Sequence, residues 1–208
     1  MKRRKFVHLG ALAAGSMTFS ICTPKEKQKN PSDLTSSPNP EPDPLVLNKS
    51  MPKDHLYNLL DQKVDHYMKL SHNCAQSTFL VLSEQFGLGS KEMVKALTPL
   101  PGIAERGETC GAVTGALLAL GLVFGRDDLS DWEAYRDSLI PANLFCDRFS
   151  NEMGSTMCSA IVEKSFGERY DLRDPNDLSK FQENDATHKC SKVVQTAVHI
   201  AADIILTT

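Results

Sequence analysis

Glu105-Arg106-Gly107-Glu108-Thr109-Cys110-Gly111-Ala112-Val113-Thr114-Gly115-Ala116-Leu117-Leu118-Ala119-Leu120-Gly121 is the stretch on which the fold turns. It begins polar and becomes apolar at a single thiol. Glu108 or Thr109 is placed to cap a helix. Cys110 then falls in the first turn, where unpaired backbone N–H groups favour a thiolate over a thiol. Gly111 and Gly115 share one helical face, so a second backbone can approach closely there, at some cost in helix propensity. The apolar run from Ala112 to Phe124 has thirteen residues. That is too short for a bilayer, which needs roughly 20, so it reads as a helix buried in protein. Cysteine also serves in such helices as a small apolar residue, and what distinguishes Cys110 is the set of other cysteines around it.

Upstream, Asp54 to Leu70 puts Leu56, Leu59, Leu60, Val64, Tyr67 and Met68 on one face at helical spacing. Ser71-His72-Asn73 breaks that pattern and caps a second helix, Cys74 to Phe86, closed by Gly87-Leu88-Gly89. Ser90 caps a short helix that Pro99 and Pro101 stop. Downstream, a helix opening at Asp131-Trp132-Glu133 is interrupted or restarts at Pro141 and runs through Cys146 to Met153. Ser155 caps the next, which carries Cys158, and a short helix follows Asp174-Pro175-Asn176-Asp177. Thr187 is placed to cap the last, Cys190 to Leu206, with Cys190, Val194, Ala197, Ala201 and Ile204 on its core face. Strand alternation and fixed-period repeats are missing from the sequence. These patterns predict one all-α helical bundle domain over residues 52–208, of about six to eight helices.

The N-terminus reads as an address. Lys2-Arg3-Arg4-Lys5-Phe6-Val7 is a twin-arginine pattern, and the weakly apolar run from Leu9 to Ile21 suits a signal peptide over residues 1–21. That route exports folded proteins, so a cofactor inserted beforehand travels with them. Phe19-Ser20-Ile21-Cys22 resembles a lipoprotein processing site, which makes Cys22 the candidate for lipidation. Residues 22–51 form a Pro-rich stretch without aromatics, read as a disordered linker. The expected location is the periplasm or cell envelope, with the membrane reached only through the signal peptide or lipid anchor. The whole chain has a formal charge of −3. Without residues 1–21 it keeps 19 Lys and Arg against 26 Asp and Glu, a net −7, which gives no electrostatic case for binding nucleic acid.

Five cysteines belong to the folded part: Cys74, Cys110, Cys146, Cys158 and Cys190. None forms a Cys-x-x-Cys or Cys-x-x-Cys-His motif, so neither a thioredoxin motif nor a c-type haem site is written here. Each is expected near a helix N-terminus, where negative charge is stabilised. Each also lies on its helix's apolar stripe, as a buried inert thiol would. Five thiols in an exported domain, where stray thiols oxidise, point to a shared purpose. His72 and His188 precede Cys74 and Cys190 by two residues and are possible additional ligands. His199 faces away from the Cys190 stripe and is expected in solvent.

Cys110-Gly111-Ala112-Val113-Thr114-Gly115, with Asn73-Cys74-Ala75-Gln76-Ser77 before it and two cysteines after it, resembles the C-GCAxxG-C-C family of putative redox-active proteins. The resemblance covers about residues 70–165. It implies a small helical domain with signature cysteines at Cys74, Cys110, Cys146 and Cys158, and it leaves Cys190 outside the motif.

The leading expectation is an exported redox protein in which Cys74, Cys110, Cys146 and Cys158 hold an iron–sulfur cluster for electron transfer. A cofactor-free thiol–disulfide protein, with Cys110 and Cys158 as catalytic thiols, is the nearest alternative. A zinc-binding domain and a helical interaction module complete the set. The redox partner and the oligomeric state are not written in the chain.

Overall fold

The computed structural model describes residues 43–207. Among them lie ten helices and no strand: α1 (Pro44–Ser50), α2 (Lys53–Ser71), α3 (Cys74–Phe86), α4 (Lys91–Ala96), α5 (Gly102–Glu105), α6 (Gly111–Phe124), α7 (Trp132–Met153), α8 (Cys158–Phe166), α9 (Pro175–Glu183) and α10 (Ala186–Thr207). The expected signal peptide, the lipidation site Cys22 and most of the linker lie outside the described residues. No helix among the described residues is long and apolar enough to cross a membrane.

α3 and α6 form the centre, and glycine decides how close they come. A Cβ on Gly115 would stand 2.4 Å from the Ala75 carbonyl oxygen and one on Gly111 2.4 Å from Cys74 Sγ. Only a hydrogen fits at either place, as the shared face of the two glycines predicts. α6 is apolar on every side because α3, α7 and α10 all pack against it. α2 covers α3 and α10 with the expected face, burying Leu56, Leu60, Val64 and Met68. Phe79, Phe145 and Phe149 are fully buried between the layers. Each such side chain contributes roughly 1.5–3 kcal/mol through removal from water.

Four local expectations change. Residues 44–50, expected to belong to a disordered Pro-rich linker, are helical: Asp43 caps α1, and Pro44 stands in the first turn, where a missing N–H costs nothing. Asn48 then docks α1 by donating from Nδ2 to the Gln85 carbonyl (2.8 Å). Pro141 does not restart α7, which is one continuous helix. The carbonyl deprived of its donor belongs to Asp137, an exposed residue that water can reach. α10 begins at Ala186 rather than Cys190, after Asp185 in a left-handed conformation (φ 60°). Lastly, His199 is not in solvent. Its ring stacks on Tyr57 at 3.8 Å, and Nε2 lies 2.8 Å from Asp61 Oδ1.

Candidate functional site

The site is made where helix beginnings meet. Cys74 is the first residue of α3. Asn73 fixes that start: Oδ1 accepts from the Gln76 N–H (3.0 Å) and Nδ2 donates to the Thr98 carbonyl (3.1 Å). Gln76 Nε2 reaches the Val94 carbonyl (2.9 Å). These bonds tie the start of α3 to α4 and to the loop that follows it. Cys110 is the N-cap of α6, one position earlier than the sequence suggests. Its carbonyl accepts from Val113 and Thr114, and its N–H donates to the Thr156 carbonyl (2.9 Å).

That last bond belongs to a short antiparallel clamp that no strand pattern foretells. Thr109 and Met157 form an isolated bridge. Cys158 N–H donates to the Glu108 carbonyl (2.7 Å) and Ser159 N–H to the Gly107 carbonyl (3.0 Å). The clamp fixes the beginning of α8 against the beginning of α6. Cys158, first residue of α8, is thereby held beside Cys110. Cys190 arrives from the second turn of α10.

The turn that closes this end, α5, is left-handed. Ile103, Ala104 and Glu105 have φ of 50°, 57° and 60°. For L-residues this conformation costs roughly 1–2 kcal/mol each. Gly102 in the same turn faces Cys158, and a Cβ there would lie 3.4 Å from Cys158 Sγ. Strain of this kind is held only where the surroundings enforce it, and here it lies against a thiol.

The thiols are chemically unequal. The Cys74 thiol is pulled below its usual range, first by a hydrogen bond from the Cys110 side chain and then by backbone N–H groups of Gly111, Cys74 and Ala75; burial opposes the shift. Cys110 is pushed well up by that same bond to Cys74 and by burial. The pair therefore favours the thiolate at Cys74 and the proton at Cys110. Burial pushes Cys158 up to about 12, helped by the charges of Cys74 and Glu105. Cys190 rises to about 12 through burial and the charges of Cys74 and Cys158. Each of these four sulfurs senses at least one other.

Cys146 is outside this group. It lies in the interior of α7, and burial and its neighbour Asp147 raise its thiol. The structure thus brings together Cys74, Cys110, Cys158 and Cys190, and leaves Cys146 apart. The helix-start argument led toward Cys146 because Pro141 looked like a boundary. Nothing in the sequence ranks Cys190 above it, since both lie on apolar stripes.

Cys74, Cys158 and Cys190 line a cavity of about 610 Å³. His72 also lines it, exposed, with Nδ1 3.0 Å from Thr187 Oγ1. His188 lies outside this cavity, along a smaller depression beside Asp65 and Lys69. Arg106 is exposed and pairs with Glu108 (3.1 Å). The donor chemistry of four thiols suits a metal, but the placement does not. Among the described residues, no group of three or more His, Cys, Asp or Glu side chains is arranged to hold a metal ion.

A family model described as "Putative redox-active protein (C_GCAxxG_C_C)" matches residues 72–204. The chain belongs to this family. The C_GCAxxG_C_C match extends beyond the resemblance at about residues 70–165 and takes in Cys190. Neither the curated proteins nor the solved structures contain a match to this C_GCAxxG_C_C chain.

Proposed function

We infer that the protein is a two-electron thiol redox protein whose working couple is Cys74 and Cys110. The single observation that carries this reading is the close approach of the starts of α3 and α6, which sets the Cys74 sulfur against Gly111, the residue next to Cys110; the two thiols shift one another in opposite directions, Cys74 down and Cys110 up. A thiolate is the attacking species in thiol–disulfide exchange, and an adjacent thiol is its resolving partner. On oxidation the Cys74 Sγ–Cys110 Sγ bond forms, Cys110 gives up its proton, and two electrons leave with the acceptor. Cys74 lines the cavity and Cys110 does not, so Cys74 meets the partner and Cys110 resolves. Cys158 and Cys190, raised to about 12, remain protonated thiols at neutral pH.

The second reading is an iron–sulfur cluster held by thiolates. It is favoured by the arrival of Cys74, Cys110, Cys158 and Cys190 from separate helices at one end of the bundle. It requires these side chains to move, because no three donors now face one ion. Export through the twin-arginine route belongs to the same proposal and rests on Arg3-Arg4-Lys5-Phe6-Val7.

Anaerobic purification of protein matured through its own export route, followed by iron, zinc and acid-labile sulfide analysis and a redox titration, tests both readings. The dithiol reading expects metal-free protein that titrates with two electrons. Stoichiometric iron and sulfide would overturn it in favour of the cluster, and stoichiometric zinc in favour of a non-redox metal site.

A further inference from the structure

The cavity beside Cys74 has a definite chemical character. Its apolar wall is formed by Met68, Pro99, Val162, Leu172, Leu178 and Phe181. Uncharged hydrogen-bonding groups enter from Asn73, Thr98, Gln182 and Thr187. Among the described residues lining it, Glu105 is the one carboxylate, and no lysine or arginine is present. His72, Thr98 and Glu105 are exposed, so the cavity reaches solvent. Its volume, about 610 Å³, lies in the range of small-molecule sites.

Sites for anionic ligands recruit arginine, lysine or a free helix N-terminus. The starts of α3 and α8, at Cys74 and Cys158, line this cavity, but no lysine or arginine does, and Glu105 repels an anion. Multiply charged occupants such as glutathione-type disulfides, nucleotides and phosphorylated cofactors are therefore disfavoured. A peptide strand would need an exposed sheet edge or a matching groove of backbone groups, and no strand is present among the described residues.

Resting on the dithiol reading above, we propose that this cavity binds an uncharged, apolar two-electron acceptor of the quinone class, which the Cys74–Cys110 couple reduces. The Cys74 thiolate adds to a quinone ring carbon, forming a C–S bond. Cys110 then attacks Cys74 Sγ, forming the disulfide and breaking the C–S bond, whose electron pair stays on the ring. One proton from Cys110 and one from solvent complete the hydroquinone. Gln182 offers an amide to a quinone oxygen, while Phe181 and Leu178 offer apolar cover for the ring.

The test uses the full chain, reduced and anaerobic, with a short-chain water-soluble benzoquinone as probe and glutathione disulfide as the anionic comparison. Hydroquinone formation and the Cys74–Cys110 disulfide are followed together, the latter by peptide mass. The proposal expects saturable oxidation by the quinone, at least about tenfold faster than by glutathione disulfide at equal concentration, a difference worth about 1.4 kcal/mol in barrier. Phe181→Gln, and separately Leu178→Gln in case the first disturbs α9, should raise the half-saturating quinone concentration about tenfold. The midpoint potential of the couple should stay as in the parent. Glu105→Lys should accelerate glutathione disulfide several-fold. Non-saturating oxidation, a stable quinone adduct without a disulfide, or a glutathione disulfide rate equal to that of the quinone would overturn the proposal. Diamide separates the two levels. If diamide forms the Cys74–Cys110 disulfide while the quinone fails, only the quinone proposal falls. If diamide also fails to form that disulfide, the dithiol reading falls with it.

Discussion

Replacing Gly111 with alanine perturbs the site through one methyl group. Its carbon would stand 2.4 Å from Cys74 Sγ, 2.8 Å from the Ala75 nitrogen and 3.1 Å from the Pro101 Cα. Two of these neighbours are backbone, so no side-chain rotation relieves all three contacts. Overpacking of this sort costs about 1–3 kcal/mol. For a domain of this size that is a fall in Tm of roughly 2–12 °C. The same displacement moves Cys74 away from the Gly111 N–H, one of the groups that lower its thiol. The Cys74 pKa should therefore rise toward the ordinary thiol value, and alkylation at neutral pH should slow. Gly121→Ala is the matched control in the same helix: beyond the helix's own neighbouring backbone no atom lies within 4 Å of the added carbon, so it should stabilise by about 0.5–1 kcal/mol through helix propensity. Thermal melts and iodoacetamide kinetics with peptide mapping give both readouts. If Gly111→Ala melts with the parent and keeps its alkylation profile, the close approach of α3 and α6 at Cys74 is not what shapes the thiolate.

Alkaline pH should weaken the fold in a defined window. Cys158 and Cys190 bind protons up to about 12 in the folded state, whereas unfolded thiols lose theirs near 8.5. The folded state thus holds more protons between those values, and stability is full below the unfolded pKa and falls as pH rises toward 12; urea melts across that range check it. Cys74 has the opposite sign, so its contribution is present above the unfolded pKa and is lost as pH falls through its depressed folded value. Cys146→Ser should leave the redox titration unchanged, because no other thiol is among the causes that shift Cys146; a changed midpoint would contradict the grouping. Asp203→Ala should destabilise by about 1–3 kcal/mol, since its carboxylate accepts from Tyr57 (2.8 Å), Lys53 (3.0 Å) and Arg148 (3.0 Å); a urea midpoint equal to the parent's would remove that network from the account.

The helices were legible wherever apolar spacing and a cap agree. Asn73 and Gly87 bracket α3 at the residues the pattern indicates, and the spacing of Gly111 and Gly115 announced a close backbone contact that the fold contains. Proline and threonine misled because each has more than one structural use. Pro141 sits inside a helix that the surrounding packing keeps intact, and Thr187 looks like a cap but lies in the first turn of α10. The clamp between Thr109 and Met157 was unreadable, since a single bridge leaves no alternation of side chains. The left-handed turn at Ile103–Glu105 was hidden for a related reason: a β-branched residue at positive φ runs against local preference and is imposed by tertiary contacts. Cys190 joined the thiols through helix packing, which residue spacing along the chain does not encode.

The central claim is that Cys74 and Cys110 are the couple that exchanges two electrons. Its most direct test is peptide-mass mapping of the full chain after anaerobic oxidation with one equivalent of diamide. The account predicts a single disulfide joining Cys74 to Cys110, with Cys146, Cys158 and Cys190 recovered as thiols. A first disulfide joining Cys158 to Cys190, or any one that includes Cys146, would contradict it.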